Sequence, residues 1–263
     1  MPIIEYHYAT FTFSQQVRMR PEWLEAQLRW LADNHFHTLT SAELAEFVRQ
    51  GGAPAHSAAL TFDVGWTHFD EYSGVIVPAL RRYGLHAIFF VLPSRTSETC
   101  DGLTTCWPLL LAWQNEGLIS IESHSLYHVD YTTLSPQDIE RDAAHSKSII
   151  EAHTGQPVRG LCYPFDDVSP AAAYLLEKLG YKYAVAGATR PDRSARAADP
   201  APFALPRYYP YSGDADYPAI HGERGLAFGA LMLAASAPER VIDQGPAATL
   251  EAPLDESEVV LKP

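Results

Sequence analysis

Strand-like and helix-like hydrophobic patterns alternate from the first residues onward. Residues 3–8 read as a strand, and residues 21–34 place Leu24, Leu28 and Leu31 on one face at helical spacing. A short strand at 37–40 leads to Ser41, which caps a helix running to about Arg49, with Glu43 in its first turn and Gly51-Gly52 behind it. Residues 58–64 form the next strand. Residues 71–83 form a helix closed by Gly84, and 86–92 form a buried strand centred on Ala-Ile-Phe-Phe-Val. A helix over 108–116 and a strand over 118–123 follow. Ser135, Pro136 and Asp138 then mark a helix start, Ile139, Ala143, Ser146 and Ile150 keep its inner face, and Gly155 with Pro157 ends it. A strand at 160–164, a helix at 169–179 stopped by Gly180, and a strand at 181–187 complete the regular part.

This order, at roughly 25–30 residues per unit, predicts a parallel sheet with helices outside it. Seven or so units predict an α/β fold of the distorted (β/α)7-barrel type, with a doubly wound open sheet as the alternative. In either case ligands gather at the carboxyl ends of the strands. Beyond about Ala188 the regularity fades. Residues 190–202 read as a surface loop, 204–209 as a last strand, and 226–235 as an apolar helix on the barrel. The expected organisation is one barrel domain over 1–243 and a poorly ordered acidic tail over 244–263.

The 263 residues, 47% of them hydrophobic, suffice for one large core. A net charge of −13 argues against a nucleic-acid partner and against attachment to anionic lipid. No apolar run reaches the ~18–20 residues that span a bilayer. The opening Met1-Pro2-Ile3-Ile4-Glu5 lacks a basic segment followed by an apolar core, so no signal peptide is read. The expectation is a cytoplasmic protein or an exported one without its leader. Three cysteines make a disulfide scaffold unexpected. Cys100 and Cys106 can bridge a loop in an oxidising compartment, and Cys162 reads as a buried core thiol.

The chemistry concentrates at three strand ends. His124 and His128 follow the strand 118–123, and two imidazoles four residues apart at a strand tip can converge on one divalent metal. The spacing alone is weak, since a solvated surface pair has the same sequence; the strand-end position tips the reading towards metal. Zinc suits imidazole best, and cobalt, nickel or iron also fit. Asp63 ends the strand 58–64. It is either a cap for the following turn or, beside a metal-activated water, a general base. Cys162-Tyr163-Pro164-Phe165-Asp166 ends a third strand. Trp66, Tyr163, Tyr208, Tyr209 and Tyr211 can form an aromatic platform for sugar rings, whereas Trp107 and Trp113 read as helix packing and His7 as a hydrogen-bonded core histidine.

Thr61-Phe62-Asp63-Val64-Gly65, then His124-Ser125-Leu126-Tyr127-His128, then Cys162-Tyr163-Pro164-Phe165 resemble the successive motifs of the polysaccharide deacetylases, carbohydrate esterase family 4. Those motifs are TFDDG, H-S/T-x-x-H and a segment ending in Pro-Tyr-Gly. Tyr6-His7 resembles the family's opening strand, the segment 178–185 resembles its Gly-Tyr-x-Tyr-Ala strand, and Leu205-Pro206-Arg207 resembles a segment of the poly-N-acetylglucosamine deacetylase branch. The resemblance covers about residues 3–212. It implies a metal-dependent hydrolase that removes acetyl groups from N-acetylated sugars. In that reading Asp63 is the base, His124 and His128 bind zinc, and the Phe165 backbone N–H holds the oxyanion.

The chain departs from that pattern at several points. Val64 stands where the family has a metal-binding Asp, Phe165-Asp166 stands for Tyr-Gly, and the later catalytic His and fourth-motif Asp have no evident match. His68, Asp70, Asp166 or Asp167 could supply the missing ligand, though each reads more simply as a loop residue, or Asp63 itself could become a ligand. The resemblance therefore leaves an alternative, a catalytically degenerate barrel that binds a glycan or protein without turnover. A non-sugar amide substrate is a third reading.

Overall fold

Seven short parallel strands follow one another around a ring: β1 (Ile3–Tyr6), β2 (Ser57–Val64), β3 (Ala87–Val91), β4 (Ile119–Ser123), β5 (Gly160–Cys162), β6 (Tyr183–Gly187) and β7 (Leu205–Arg207). Every neighbouring pair in that path is parallel. The gap between β7 and β1 is stitched by two backbone hydrogen bonds, Tyr208 N to Ile3 O at 2.8 Å and Glu5 N to Tyr208 O at 2.9 Å. Strand order equal to chain order, with the ends joined, makes a nearly closed barrel and not a doubly wound sheet. The computed structural model describes residues 1–9, 18–65, 69–101, 104–187, 202–211 and 225–227.

Side chains alternate across the wall of the barrel. One set points to the lumen: Ile3, Ala59, Ile88, Phe90, Cys162, Tyr183, Val185 and Leu205, joined by Leu39 and Leu44. The other set, including Ile4, Tyr6, Phe62, Val64, Phe89 and Val91, meets the surrounding helices. These are α1 (Pro21–Asp33), α2 (Ser41–Gln50), α3 (Val77–Tyr83), α4 (Trp107–Asn115), α5 (Pro136–Thr154) and α6 (Pro170–Lys178). Leu24, Leu28 and Leu31 of α1 and Ile139, Ala143 and Ile150 of α5 form their inward stripes. Each such large apolar side chain, fully removed from water, contributes about 1.5–3 kcal/mol.

Some boundaries move from their sequence positions for identifiable reasons. Thr40, not Ser41, is the N-cap of α2; its hydroxyl accepts from Glu43 N while the Glu43 carboxylate accepts from Thr40 N. Ser41 turns its hydroxyl into the lumen, to Glu122. The helix expected over 71–83 opens as a π turn, Tyr72–Ile76, ahead of Pro78, whose ring cannot accept a regular α turn before it. Ser135 caps α5 as its sequence predicts. Gly225–Ala227, where a helix was expected to begin, pairs in parallel with Tyr209–Tyr211. The rest of 226–235 and the whole 244–263 tail lie outside the described residues. No helix among the described residues is long and apolar enough to cross a membrane. Cys100 and Cys106 are joined as a disulfide, with Cα atoms 5.3 Å apart.

Candidate active site

The carboxyl ends of β1, β2, β4, β5 and β7 bring polar groups to one mouth of the barrel. Asp63, at the end of β2, lies on the lumen face and is 3% exposed. Arg207, at the end of β7 and 1% exposed, grips it with both prongs of the guanidinium: Nη1 donates to Oδ1 at 2.6 Å and Nη2 to Oδ2 at 2.9 Å. The same Nη2 reaches Asp166 Oδ1 at 3.1 Å and Glu5 Oε1 at 3.4 Å. His7 Nε2 stands 3.5 Å from Asp63 Oδ2. Burial alone would raise the Asp63 pKa, but the Arg207 charge, with His124 and His7, outweighs it and holds the carboxyl below the ordinary carboxylate range.

The His124–His128 segment is not a helix. It is a loop with left-handed turns at Ser125 (φ 68°) and His128 (φ 57°). Helix α5 holds it in place. Asp142 accepts from Leu126 N at 2.9 Å and from Tyr131 Oη at 2.7 Å, and Ser146 bonds Ser123 Oγ at 2.7 Å and donates to Ser125 O at 3.2 Å. His128 N donates to Ser125 Oγ at 2.9 Å. The two imidazoles meet edge to face, ring centroids 4.9 Å apart. The pKa of His128 is pushed down to about 4, by burial first and then by the neighbouring His124, so its ring is neutral at pH 7.

The donors suit a metal. His124 Nδ1 lies 3.0 Å from Cys162 O. A carbonyl only accepts, so Nδ1 carries a hydrogen and Nε2 is the nitrogen turned towards the lumen. A carbonyl on the outer nitrogen is the usual way a ligating imidazole is oriented. His124 Nε2 faces Asp63 Oδ2 at 3.8 Å. Asp63, His124 and Cys162 offer ligand atoms within 4.8 Å of one another, as do Glu5, His7 and Asp63.

The other residues singled out from the sequence are dispersed. Phe165 begins the turn after β5 with φ 61°, its ring 58% exposed and packed edge-on against His128 at 4.6 Å. Asp166 takes φ 62°, the conformation for which the family's motif has glycine, and Asp tolerates it better than most residues. Its carboxylate accepts from Gly187 N as well as Arg207, so it is already engaged. Asp70 and Asp167 are exposed. Trp66 and His68 lie outside the described residues. Tyr163 has no face open to a sugar. It is 1% exposed in the layer between sheet and helices, and its hydroxyl donates to Phe203 O at 3.0 Å. Tyr208 is half-buried and its backbone closes the barrel. Val64 is fully buried in the outer apolar layer, so position 64 does not face the lumen.

Arg207, Glu5, His7 and Cys162 carry more of the mouth than their sequence context suggests. The signal for two of them was present: alternation from Ile3 puts Glu5 and His7 on one face.

A sequence model of the family described as polysaccharide deacetylase matches residues 50–184. YxkH of Bacillus subtilis (strain 168), which carries a provisional polysaccharide deacetylase name, is 30% identical over 197 residues, 74% of this chain and 67% of that protein. Among solved structures, the Streptococcus pyogenes deacetylase PplD, determined in complex with acetate, superposes with a TM-score of 0.72 at 18% identity, over 90% of this chain and 98% of that one. IcaB from Ammonifex degensii superposes with a TM-score of 0.64 at 17% identity, over 90% and 97% of the two chains. At these identities the structural likeness establishes the barrel.

Proposed function

Because the chain belongs to the polysaccharide deacetylase family, we propose that it is a metal-dependent hydrolase that removes acetyl groups from N-acetylated sugars. The observation that carries this reading is the convergence of Asp63 with the neutral imidazole of His128 and the Nε2 of His124 at the barrel mouth. His124 and His128, beside Asp63, would hold a divalent ion, with zinc favoured by imidazole donors. Such an ion supplies Lewis acidity and lowers the pKa of water to about 7.

The chain's own groups do the rest. Asp63, kept ionised by Arg207, accepts a hydrogen bond from the attacking water and aims it at the amide carbonyl. Its depressed pKa makes it a positioning acceptor that passes a proton on and does not store it. The Phe165 backbone N–H sits in the turn packed on His128 and donates to the oxyanion as it forms. The exposed rings of Phe165 and Tyr127, in place of the buried Tyr163, offer apolar faces to the sugar.

A second reading, binding of a glycan without turnover, draws on Val64, which offers no ligand and is sealed in the apolar layer. Acetate release from N-acetylglucosamine oligomers, measured after zinc loading, separates the two. Release that falls at least about 100-fold in His124→Ala supports hydrolysis. Oligomer binding with metal retained and no acetate would overturn it in favour of the second reading.

A further inference from the structure

We propose that Cys162 is a metal ligand, and that Cys162 Sγ, His124 Nε2 and Asp63 Oδ2 form the donor set for a borderline-soft divalent ion; in this set Asp63 ligates the ion in place of accepting from the water, and His128 stands outside it. The purpose of the ion rests on the hydrolase reading above; the donor set rests on geometry. Sγ lies 3.6 Å and Nε2 3.8 Å from Asp63 Oδ2. Ligand atoms placed 2.0–2.3 Å from a tetrahedral zinc stand roughly 3.3–3.8 Å from one another. The sulfur–oxygen separation falls at this spacing, the nitrogen–oxygen one is a few tenths of an ångström longer than the roughly 3.3–3.5 Å of such a pair, and all three atoms lie within 4.8 Å of one another, so side-chain adjustment closes the set.

The three groups come from the tips of β2, β4 and β5, facing one another across the lumen, and all are at least nine-tenths buried. Strand tips hold ligands more precisely than loops do. His124 Nε2 faces Asp63 Oδ2, while its other nitrogen is pinned by the Cys162 carbonyl itself. One strand end therefore both offers the sulfur and orients the imidazole.

Position 64 faces outward, so a third ligand comes from another strand; His7 Nε2 and Cys162 Sγ both meet Asp63 Oδ2, and Cys162 is the one whose ligand atom gathers with that of His124 within 4.8 Å. Without an ion the thiol donates to Asp63 Oδ2 and lies 3.7 Å from Tyr163 O. On ligation the S–H bond breaks, the sulfur–metal bond forms and the proton leaves to solvent. A thiolate with an imidazole selects zinc or cobalt over magnesium, calcium or manganese.

The test is the absorption spectrum of the whole protein, disulfide intact, titrated with Co²⁺. The chain has three cysteines and two are paired, so a sulfur-to-cobalt charge-transfer band in the near ultraviolet arises only from Cys162. The expected result is a band that saturates at one ion per chain, is displaced by Zn²⁺, and is absent in Cys162→Ser, which binds cobalt at least about tenfold more weakly. Cobalt bound without the band overturns the assignment of Cys162 and leaves the deacetylase reading standing on His124 and His128. No cobalt bound overturns the assignment and the metal dependence together. The wild-type spectrum decides whether or not the serine variant folds.

Discussion

Arg207→Met is the most informative perturbation of this barrel. The substitution keeps much of the stem and removes the fork that touches Asp63 at 2.6 and 2.9 Å, Asp166 at 3.1 Å and Glu5 at 3.4 Å. Removing one partner of a buried pair costs about 3–5 kcal/mol, because the other charge is stranded. Against a total stability of about 5–15 kcal/mol, that is a large fraction. The sign of the pH dependence follows from Asp63. With Arg207 present its folded pKa is depressed, so its contribution is present above the unfolded value near 3.8 and is lost only as pH falls through the lower folded value. Without Arg207, burial dominates and lifts the folded pKa above the unfolded one. The penalty then grows as pH rises and shrinks in acid. Urea unfolding of metal-free protein, near neutrality and at about pH 4, measures both. Asp63→Asn in the Arg207→Met background removes the stranded charge and recovers stability, a coupling of about 0.5–3 kcal/mol in the double-mutant cycle. An Arg207→Met variant within about 0.5 kcal/mol of wild type, or an Asp63→Asn change that adds to the damage, refutes the reasoning.

Glu122 gives the opposite pH signature. Burial in the lumen, opposed by hydrogen bonds from Gly160 N, Ser41 and Arg159 N, raises its pKa from 4.5 to about 7. A raised carboxyl pKa means stability is lost as pH climbs from 4.5 through 7, by up to about 3 kcal/mol. Glu122→Gln should therefore be more stable than wild type at alkaline pH and equal to it at acid pH in thermal melts; a gap that does not change with pH would count against this. Gly160→Ala should destabilise by about 1–3 kcal/mol in urea, because its Cβ would lie 2.3–2.5 Å from the buried Tyr183 ring. A neutral result would mean that ring moves freely.

The strands from β2 to β6 were legible because each is a short, mostly apolar run closed by Gly, Pro or Ser, and their regular alternation with helices implied the parallel ring. What local pattern could not carry was pairing across the lumen. Ser41 reads as a helix cap from its neighbours, yet its hydroxyl is taken by Glu122, 81 positions away, and Thr40 caps instead. Arg207 reads as a polar strand end until Asp63, 144 positions away, is placed against it.

One misreading comes from the period of two along a strand. Tyr163 was expected to meet a sugar, but at the end of β5 it faces the helices, while Cys162, read as a buried core thiol, is indeed buried and faces the lumen. On β2 the same alternation turns Asp63 inward and Val64 outward. The sequence departure at position 64 looks from the motif alone like a ligand deleted from the site. In the barrel position 64 belongs to the outer apolar layer, while the Cys162 sulfur across the lumen lies 3.6 Å from the Asp63 carboxylate. Whether the mouth holds an ion as proposed is therefore a question about which strand supplies the third donor, and that is set by the barrel's closure and not by the motif.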